Sequence, residues 1–282
     1  AAVDFAVYRD DLGIRTDEGY TDGVLFLTED ALPGENVTMK NGYVYNYIAP
    51  GNFSLDAAVV EDGVLNREYA GYKALVLNNL TKMELADAEQ ILAYAEAGLP
   101  VVLIGETPTA DGTYGAQDDD AVAAVFEKLK EMDTVAVAAK EEELVNALTS
   151  LGITSSVQNT EEASLAVQHR TSEKADLYYM YNYTSSYDYA DNAVAISDGN
   201  DITMDITLKG KGSPYRLDPW TGEITAMTNY TDNGDGTITL NITAKDSDPL
   251  IIGITADSSV FGTVTEAVDL ASMEASKISL DE

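Results

Sequence analysis

The stretch YKALVLNNLTKMELADAEQILAYAEAGLPVVLIG, Tyr72–Gly105, decides the fold. It opens and closes on continuous apolar runs, Tyr72–Leu77 and Pro100–Gly105, each bounded by turn residues. Strands buried on both faces of a parallel sheet read this way. Between them the spacing predicts a helix over Lys82–Ala97, because Leu85, Ala88, Leu92 and Ala95 recur at helical intervals. Thr81 and Glu84 form a T-x-x-E capping box at its start, and Gly98 then Pro100 end it.

Working outward, Val3–Tyr8 (VDFAVY) is a short β-rich run, and Val135–Ala138 is another. A second helix is predicted over Asp119–Glu131, with Val122, Val125, Phe126 and Leu129 on one stripe. The acidic triplet Asp118–Asp120 sits at its positive N-terminal end and reads as capping, not as a metal site. A third helix follows over Glu141–Leu148. Alternating strands and helices predict an α/β domain over residues 1–155, a parallel sheet of flavodoxin-like type covered by helices.

After residue 160 the period changes. Leu165–His169, Leu177–Asn182, Ile202–Leu208, Ile224–Thr228, Thr237–Ile242 and Leu250–Thr255 read as short strands separated by turns. Asp232–Gly236 (DNGDG) joins Ile224–Tyr230 to the alternating strand Thr237–Thr243 as a hairpin. Its superficial likeness to a calcium loop fails at the ligand positions, where Thr231 and Ile242 would stand first and twelfth. Residues 160–256 are therefore expected to form an antiparallel β-sandwich, and 257–282 a linker or lone strand towards a further domain.

The chemistry-bearing residues are sparse. There is no cysteine, which excludes thiolate metal sites and a cysteine nucleophile. The single histidine, His169, lies on a predicted strand, and no G-x-S-x-G elbow accompanies it, so a structural role is expected. No phosphate-binding glycine loop follows a strand, and no cofactor is expected. With 49 acidic residues, candidate carboxylate pairs for glycoside hydrolysis are too numerous to be informative. The usual scaffold for such a pair, a (β/α)₈ barrel, needs about 250 residues and does not fit in the α/β half. Tyr178–Tyr183, with Tyr187 and Tyr189, is dense in aromatics; strand alternation buries one set and leaves Tyr187 and Tyr189 as weak sugar-contact candidates.

Several segments together resemble one family. These are Tyr43–Pro50 (YVYNYIAP), Ala58–Leu65 (AVVEDGVL), Tyr72–Leu77, Ala95–Val102 (AEAGLPVV), His169-Arg170 with Ala175–Asn182 (ADLYYMYN), and Pro214–Ile224 (PYRLDPWTGEI). In order and spacing they are similar to glycoside hydrolase family 106, the bacterial α-L-rhamnosidases, in the region after the catalytic barrel, and the likeness covers most of residues 1–256. The most specific segment is D-P-W-T-G-E, in which Asp218, Pro219, Trp220 and Gly222 are read as a structural motif. Trp220 is expected to be largely buried, with Pro219 and Gly222 shaping a turn that exposes Glu223.

The resemblance implies a non-catalytic accessory region of a large secreted enzyme acting on plant or microbial polysaccharides, with the acid and base carboxylates on a barrel upstream of Ala1. That barrel is then the implied partner. The α/β part also resembles class I amidotransferase-like and β-galactosidase trimerisation domains, whose nucleophilic cysteine is missing here. The alternative is a free-standing carbohydrate-binding module whose exposed tyrosines hold an oligosaccharide.

The formal net charge of −33 divides as −19 over residues 1–155 and −14 over the remainder, so it belongs to the whole surface. It argues against nucleic-acid and anionic-membrane partners and suits an extracellular or cell-surface bacterial protein. No apolar run approaches the roughly 18 residues of a membrane span. Ala1–Asp10 lacks a basic start before an apolar stretch, so a mature N-terminus or a boundary within a longer chain is expected. Because carboxylates dominate the surface, screening should stabilise the fold. The melting temperature is expected to rise between low salt and about 0.5 M sodium chloride, and a flat profile by differential scanning calorimetry would contradict this.

Overall fold

The computed structural model describes residues 2–9, 38, 41–159, 165–182, 186–188, 193–195 and 200–265, with Asn159 and the 186–188 and 193–195 pair described through their backbone alone. Strands β1 (Phe5–Tyr8), β2 (Tyr45–Ile48), β3 (Leu75–Asn78), β4 (Val101–Ile104) and β5 (Val135–Ala138) form one sheet in the order β2-β1-β3-β4-β5. Every pairing in it is parallel, with Leu75 opposite Val101 and Val101 opposite Val135. All residues of β1, β3 and β4 are buried, as expected of a sheet covered on both faces. One face packs Tyr8, Leu75, Leu77 and Leu103 against helices α1 (Leu85–Glu96) and α2 (Asp119–Lys130). The other packs Phe5, Val76 and Val102 against α3 (Leu144–Ser150).

Two predicted helix starts move. The N-cap of α1 is Glu84, without a side-chain cap bond, and the Thr81–Glu84 capping box does not form. Lys82–Met83 is instead extended and pairs in parallel with Ala110–Asp111, while the Thr81 carbonyl accepts from the Thr109 N–H. That tertiary pairing claims the residues the box would have used. Likewise Glu141–Glu143 is a 3-10 turn and α3 begins only at Leu144. Asp118 is the N-cap of α2 but makes no side-chain cap; Asp119 accepts from the Asp111 N–H across the loop.

The second half is built from two antiparallel sheets. One has the order β6 (Val157–Asn159), β9 (Ile202–Lys209), β13 (Thr237–Ala244), β12 (Tyr230–Asp232). The other has β7 (Leu165–Thr171), β8 (Asp176–Asn182), β14 (Pro249–Thr255), β10 (Ser213–Leu217), β11 (Ile224–Ala226). Met204, Ile206, Leu208, Ile238, Leu240 and Ile242 from the first sheet share a core with Tyr178, Met180, Leu250, Ile252 and Ile254 from the second. Outward positions are polar, and the Thr203–Thr243 and Thr207–Thr239 hydroxyl pairs bridge β9 to β13 at 2.9 and 2.7 Å.

The segment Ile224–Tyr230, read as one strand, is two. Ile224–Ala226 pairs with β10, the chain then crosses, and Tyr230–Asp232 pairs with β13 in the opposite sheet. Asp232–Gly236 does turn the hairpin, with its carboxylates spent on the turn: Asp232 accepts from the Gly234 N–H and Asp235 from the N–H and hydroxyl of Thr237. Of the expected linker 257–282, the described part 257–265 is docked. Phe261 lies on Gly253 and Tyr215, and Thr265 donates to the Ile224 carbonyl at 2.8 Å.

The two halves meet at Asp4. This fully buried carboxylate accepts from Lys73 Nζ (2.9 Å), Ser156 Oγ (2.9 Å), the Val44 N–H (3.0 Å) and the Ser156 N–H (3.3 Å). It thereby ties the start of β1 to the residues leading into β2, β3 and β6. Close to it the backbones nearly touch: a Cβ on Gly42, whose φ is +73°, would stand 1.9 Å from the Val157 carbonyl oxygen. Removing one member of a buried ion pair strands the groups that remain. Asp4→Ala is therefore expected to cost about 3 kcal/mol, the lower end of the range for such breaks because Lys73 is partly open to solvent. Urea denaturation measures it, and an unchanged midpoint would show that the junction does not depend on this carboxylate.

Candidate functional site

Open α/β sheets place ligands in the crevice outside the carboxyl ends of their strands, where the strand order reverses. Here that point lies between β1 and β3, and among the described residues the protein's own side chains occupy it. Tyr8, the last residue of β1, donates to Asp87 Oδ2 at 2.8 Å, and both residues are buried. Phe53 stacks on Tyr8 with 5.6 Å between ring centroids, and Tyr94 meets Phe53 edge-on at 5.5 Å. Between β3 and β4, the buried Asn78 donates to Glu141, and Asn79 Oδ1 stands where a Cβ on Gly105 would be, 1.9 Å away. Gly105, at φ +63°, is thus a residue that nothing larger replaces without moving Asn79.

Asp87 has its pKa raised by burial, an effect partly offset by the Tyr8 hydrogen bond. A raised carboxyl is what a general acid requires, yet this one is buried beneath Tyr8. The sequence reading passed over Asp4, Tyr8 and Asp87. The signal was present in two of them: Asp4 is the one charged residue in a run buried on both faces, and Asp87 shares the buried face of α1 with Ile91, Tyr94 and Ala95.

His169, expected to be structural, is buried on β7. Its ring stacks on Tyr178 at 4.2 Å and 8°, and Nε2 lies 2.9 Å from Asp176 Oδ1. A histidine and its orienting carboxylate are two parts of a relay. The third is not in place, since Nδ1 is buried without a hydrogen-bond partner. The histidine borders a cavity of about 200 Å³ between the halves, lined also by Ala2, Asn46, Gln168 and Arg170. Its backbone carbonyl accepts from the Ala2 N–H at 2.9 Å, a further tie across the junction.

The D-P-W-T-G-E motif departs from expectation. It does form a tight turn between β10 and β11, with Asp218 Oδ1 accepting from the N–H groups of Trp220 (2.8 Å) and Thr221 (3.0 Å) and Gly222 at φ +74°. These backbone bonds lower the Asp218 pKa. Glu223 is exposed as expected. Trp220, however, is 75% exposed and not in the core. The turn projects from the edge of the sheet, so the ring has no interior to enter, and its Nε1–H donates to Asp248 Oδ1 at 2.9 Å. In the tyrosine-rich strand, Tyr178 is core and Tyr179 is open, as alternation requires. Tyr187 lies in the backbone-described strand Ser186–Asp188; its side chain, and all of Tyr189, lie outside the described residues.

The family model for glycoside hydrolase family 106, described as alpha-L-rhamnosidase, matches residues 22–200. This chain belongs to that family. A rhamnosidase from Novosphingobium sp. PP1Y is similar in structure over 92% of this chain, with a TM-score of 0.65 and 17% sequence identity, which shows a shared fold. The chain spans 23% of that enzyme's length. An alpha-L-fucosidase isoenzyme 2 from Paenibacillus thiaminolyticus matches 78% of this chain and 44% of its own, at TM-score 0.48 and 10% identity. A beta-galactosidase from Bacillus circulans sp. alkalophilus matches 77% and 36%, at TM-score 0.42 and 9% identity. Among curated protein sequences none matches.

The state of Asp87 has a pH signature. Its folded pKa is raised, so its contribution to stability is fully present below the ordinary carboxylate range and is lost as pH rises through the folded value. Asp87→Asn removes that loss while leaving Tyr8 an oxygen to donate to. The variant is expected to melt above the parent at about pH 8 and level with it below about pH 3. A variant destabilised at the higher pH would mean that the carboxylate is held ionised by a partner.

Proposed function

We propose that this family 106 chain is a non-catalytic accessory region of a larger secreted α-L-rhamnosidase-like glycoside hydrolase. In this reading residues 1–155 are an amidotransferase-like α/β domain, and the strand order β2-β1-β3-β4-β5 supports the flavodoxin-like type. Residues 160–256 are a β-sandwich, and the catalytic barrel that both brace lies upstream in the parent protein. One observation carries the proposal: among the described residues, the crevice in which an α/β sheet holds its ligand is occupied by the hydrogen-bonded pair Tyr8 and Asp87 with Phe53 stacked on it. A crevice occupied by packed and hydrogen-bonded side chains serves as scaffold. The surface charge supports an extracellular or cell-surface setting in a bacterium.

The rival reading is a free-standing module binding oligosaccharide through the exposed members of Tyr178–Tyr189; Tyr179 is open to it, while Tyr178 belongs to the sandwich core. The test of the accessory reading is prolonged incubation of the purified chain with 4-nitrophenyl α-L-rhamnopyranoside and a panel of other nitrophenyl glycosides. No release above the protein-free control is expected. Turnover that survives further purification and is abolished by one carboxylate substitution would make this chain an enzyme in its own right.

A further inference from the structure

The two sheets of the sandwich differ on their outward faces. On the first, Thr203, Asp205 and Thr207 of β9 stand opposite Thr243, Asn241 and Thr239 of β13, a polar surface of the kind that meets water. On the second, the row Gln168, Tyr179, Ile251, Leu217 and Ile224 runs across β7, β8, β14, β10 and β11. The next row adds Leu177, Tyr215 and Ala226, with Arg170 at its β7 end. We propose that this second outward face is the surface on which the catalytic barrel of the parent enzyme docks.

These residues are not surplus core. Tyr178, Met180, Leu250 and Ile252 fill the sandwich interior, so strand alternation turns Tyr179 and Ile251 away from it. Neither row contains a carboxylate, in a chain with 49 acidic residues and a net charge of −33. Strand preference does not demand Ile, Leu and Tyr at outward positions, because β9 and β13 fill theirs with Thr, Asn and Asp. Tyr179 is 41% exposed, and Ile251, Leu217 and Ile224 are half-buried. An apolar, aromatic centre without carboxylates is the composition of an interface core. Its rim is polar: the exposed Trp220 stands at the end of β10 in the turn with Asp218 and Glu223, its Nε1–H on Asp248. Tryptophan and tyrosine in such settings supply much of the binding energy of an interface.

The course of the chain says what meets this face. Phe261, beyond β14, already lies on it against Gly253 and Tyr215, and Thr265 pairs in parallel with Thr225 of the edge strand β11. At the opposite edge Ala2 pairs with His169 of β7. The inference rests on the accessory reading, which places the barrel upstream of Ala1. A domain joined through Ala2 is tethered beside the face, and a short tether raises its effective concentration into the millimolar range. The matched part is 23% of the Novosphingobium rhamnosidase, so this fold occurs there within a much larger chain. A second copy of this chain suits the face less, because two bodies that each carry −33 repel as they approach.

Photocrosslinking in the full-length parent protein tests the proposal, with p-benzoylphenylalanine in place of Tyr179 and, as a control, of Asn241 on the outward face of the first sheet. Mass spectrometry of the joined peptides is expected to link position 179 to sequence upstream of Ala1, and position 241 to none of it. Cross-links from position 179 only to residues of this chain, to a second copy, or to nothing would overturn the docking face. Hydroxyl-radical footprinting reads the same surface without any substitution. Oxidation of Tyr179 is expected to fall severalfold from the isolated chain to the full-length protein, while Tyr114, fully exposed on a loop of the α/β half, keeps its rate. Equal oxidation of Tyr179 in both would overturn the face and leave the accessory reading standing. A reading frame that does not extend upstream of Ala1 would remove both.

Discussion

A carboxylate with no access to water needs its lone pairs answered, and at Asp4 the answers come from three separate places in the chain. Lys73 and the Val44 N–H belong to the segments entering two neighbouring strands of the parallel sheet, and Ser156 to the segment entering the first strand of the sandwich. Because the cost of burying the charge is offset only when all of them are in position, the α/β half and the β half are held in one relative arrangement. Gly42 against Val157 and the Ala2–His169 bridge lie at the same junction. Lys209 donating to Thr154 and Tyr178 donating to the Lys209 carbonyl carry the connection into the sandwich core.

The consequence for function is a rigid body whose inner positions are committed to structure. The parallel sheet keeps the geometry that in other α/β folds opens a ligand crevice, but among the described residues Tyr8, Asp87 and Phe53 occupy it. In the sandwich His169 is fixed between Asp176 and Tyr178. On the outside stands Trp220, held on its turn by Asp218 and Asp248.

Most of the architecture was legible in the sequence. The apolar runs at Val3–Tyr8, Tyr72–Leu77, Pro100–Gly105 and Val135–Ala138 each contain a strand of the parallel sheet, and the alternating stretches after residue 160 are strands of the antiparallel ones. Strand β2 was not legible, because its Tyr-Asn-Tyr-Ile has neither a continuous apolar run nor a clean alternation. The crossing at 227–229 was not legible either. Residues 224–230 have uniform β character, and nothing local marks which sheet each end joins. At the candidate site the balance is different: Asp4 and Asp87 were visible only as polar residues out of place on buried faces.

The sequence by itself determined the classes of element and their order, because hydrophobic period and turn chemistry are local properties that survive any arrangement of neighbours. It also set the acidic surface and the absence of thiol chemistry. Tertiary structure alone decided where competing local preferences resolved. The capping box at Thr81–Glu84 was overruled by pairing of Lys82–Met83 with Ala110–Asp111. Trp220, apolar enough for a core, stands in solvent because its turn lies at a sheet edge with no interior facing it. Whether a side chain fills a crevice or lines a pocket depends on residues distant in the chain arriving at the same point, as Tyr8 and Asp87 do, and periodicity carries no information about such meetings.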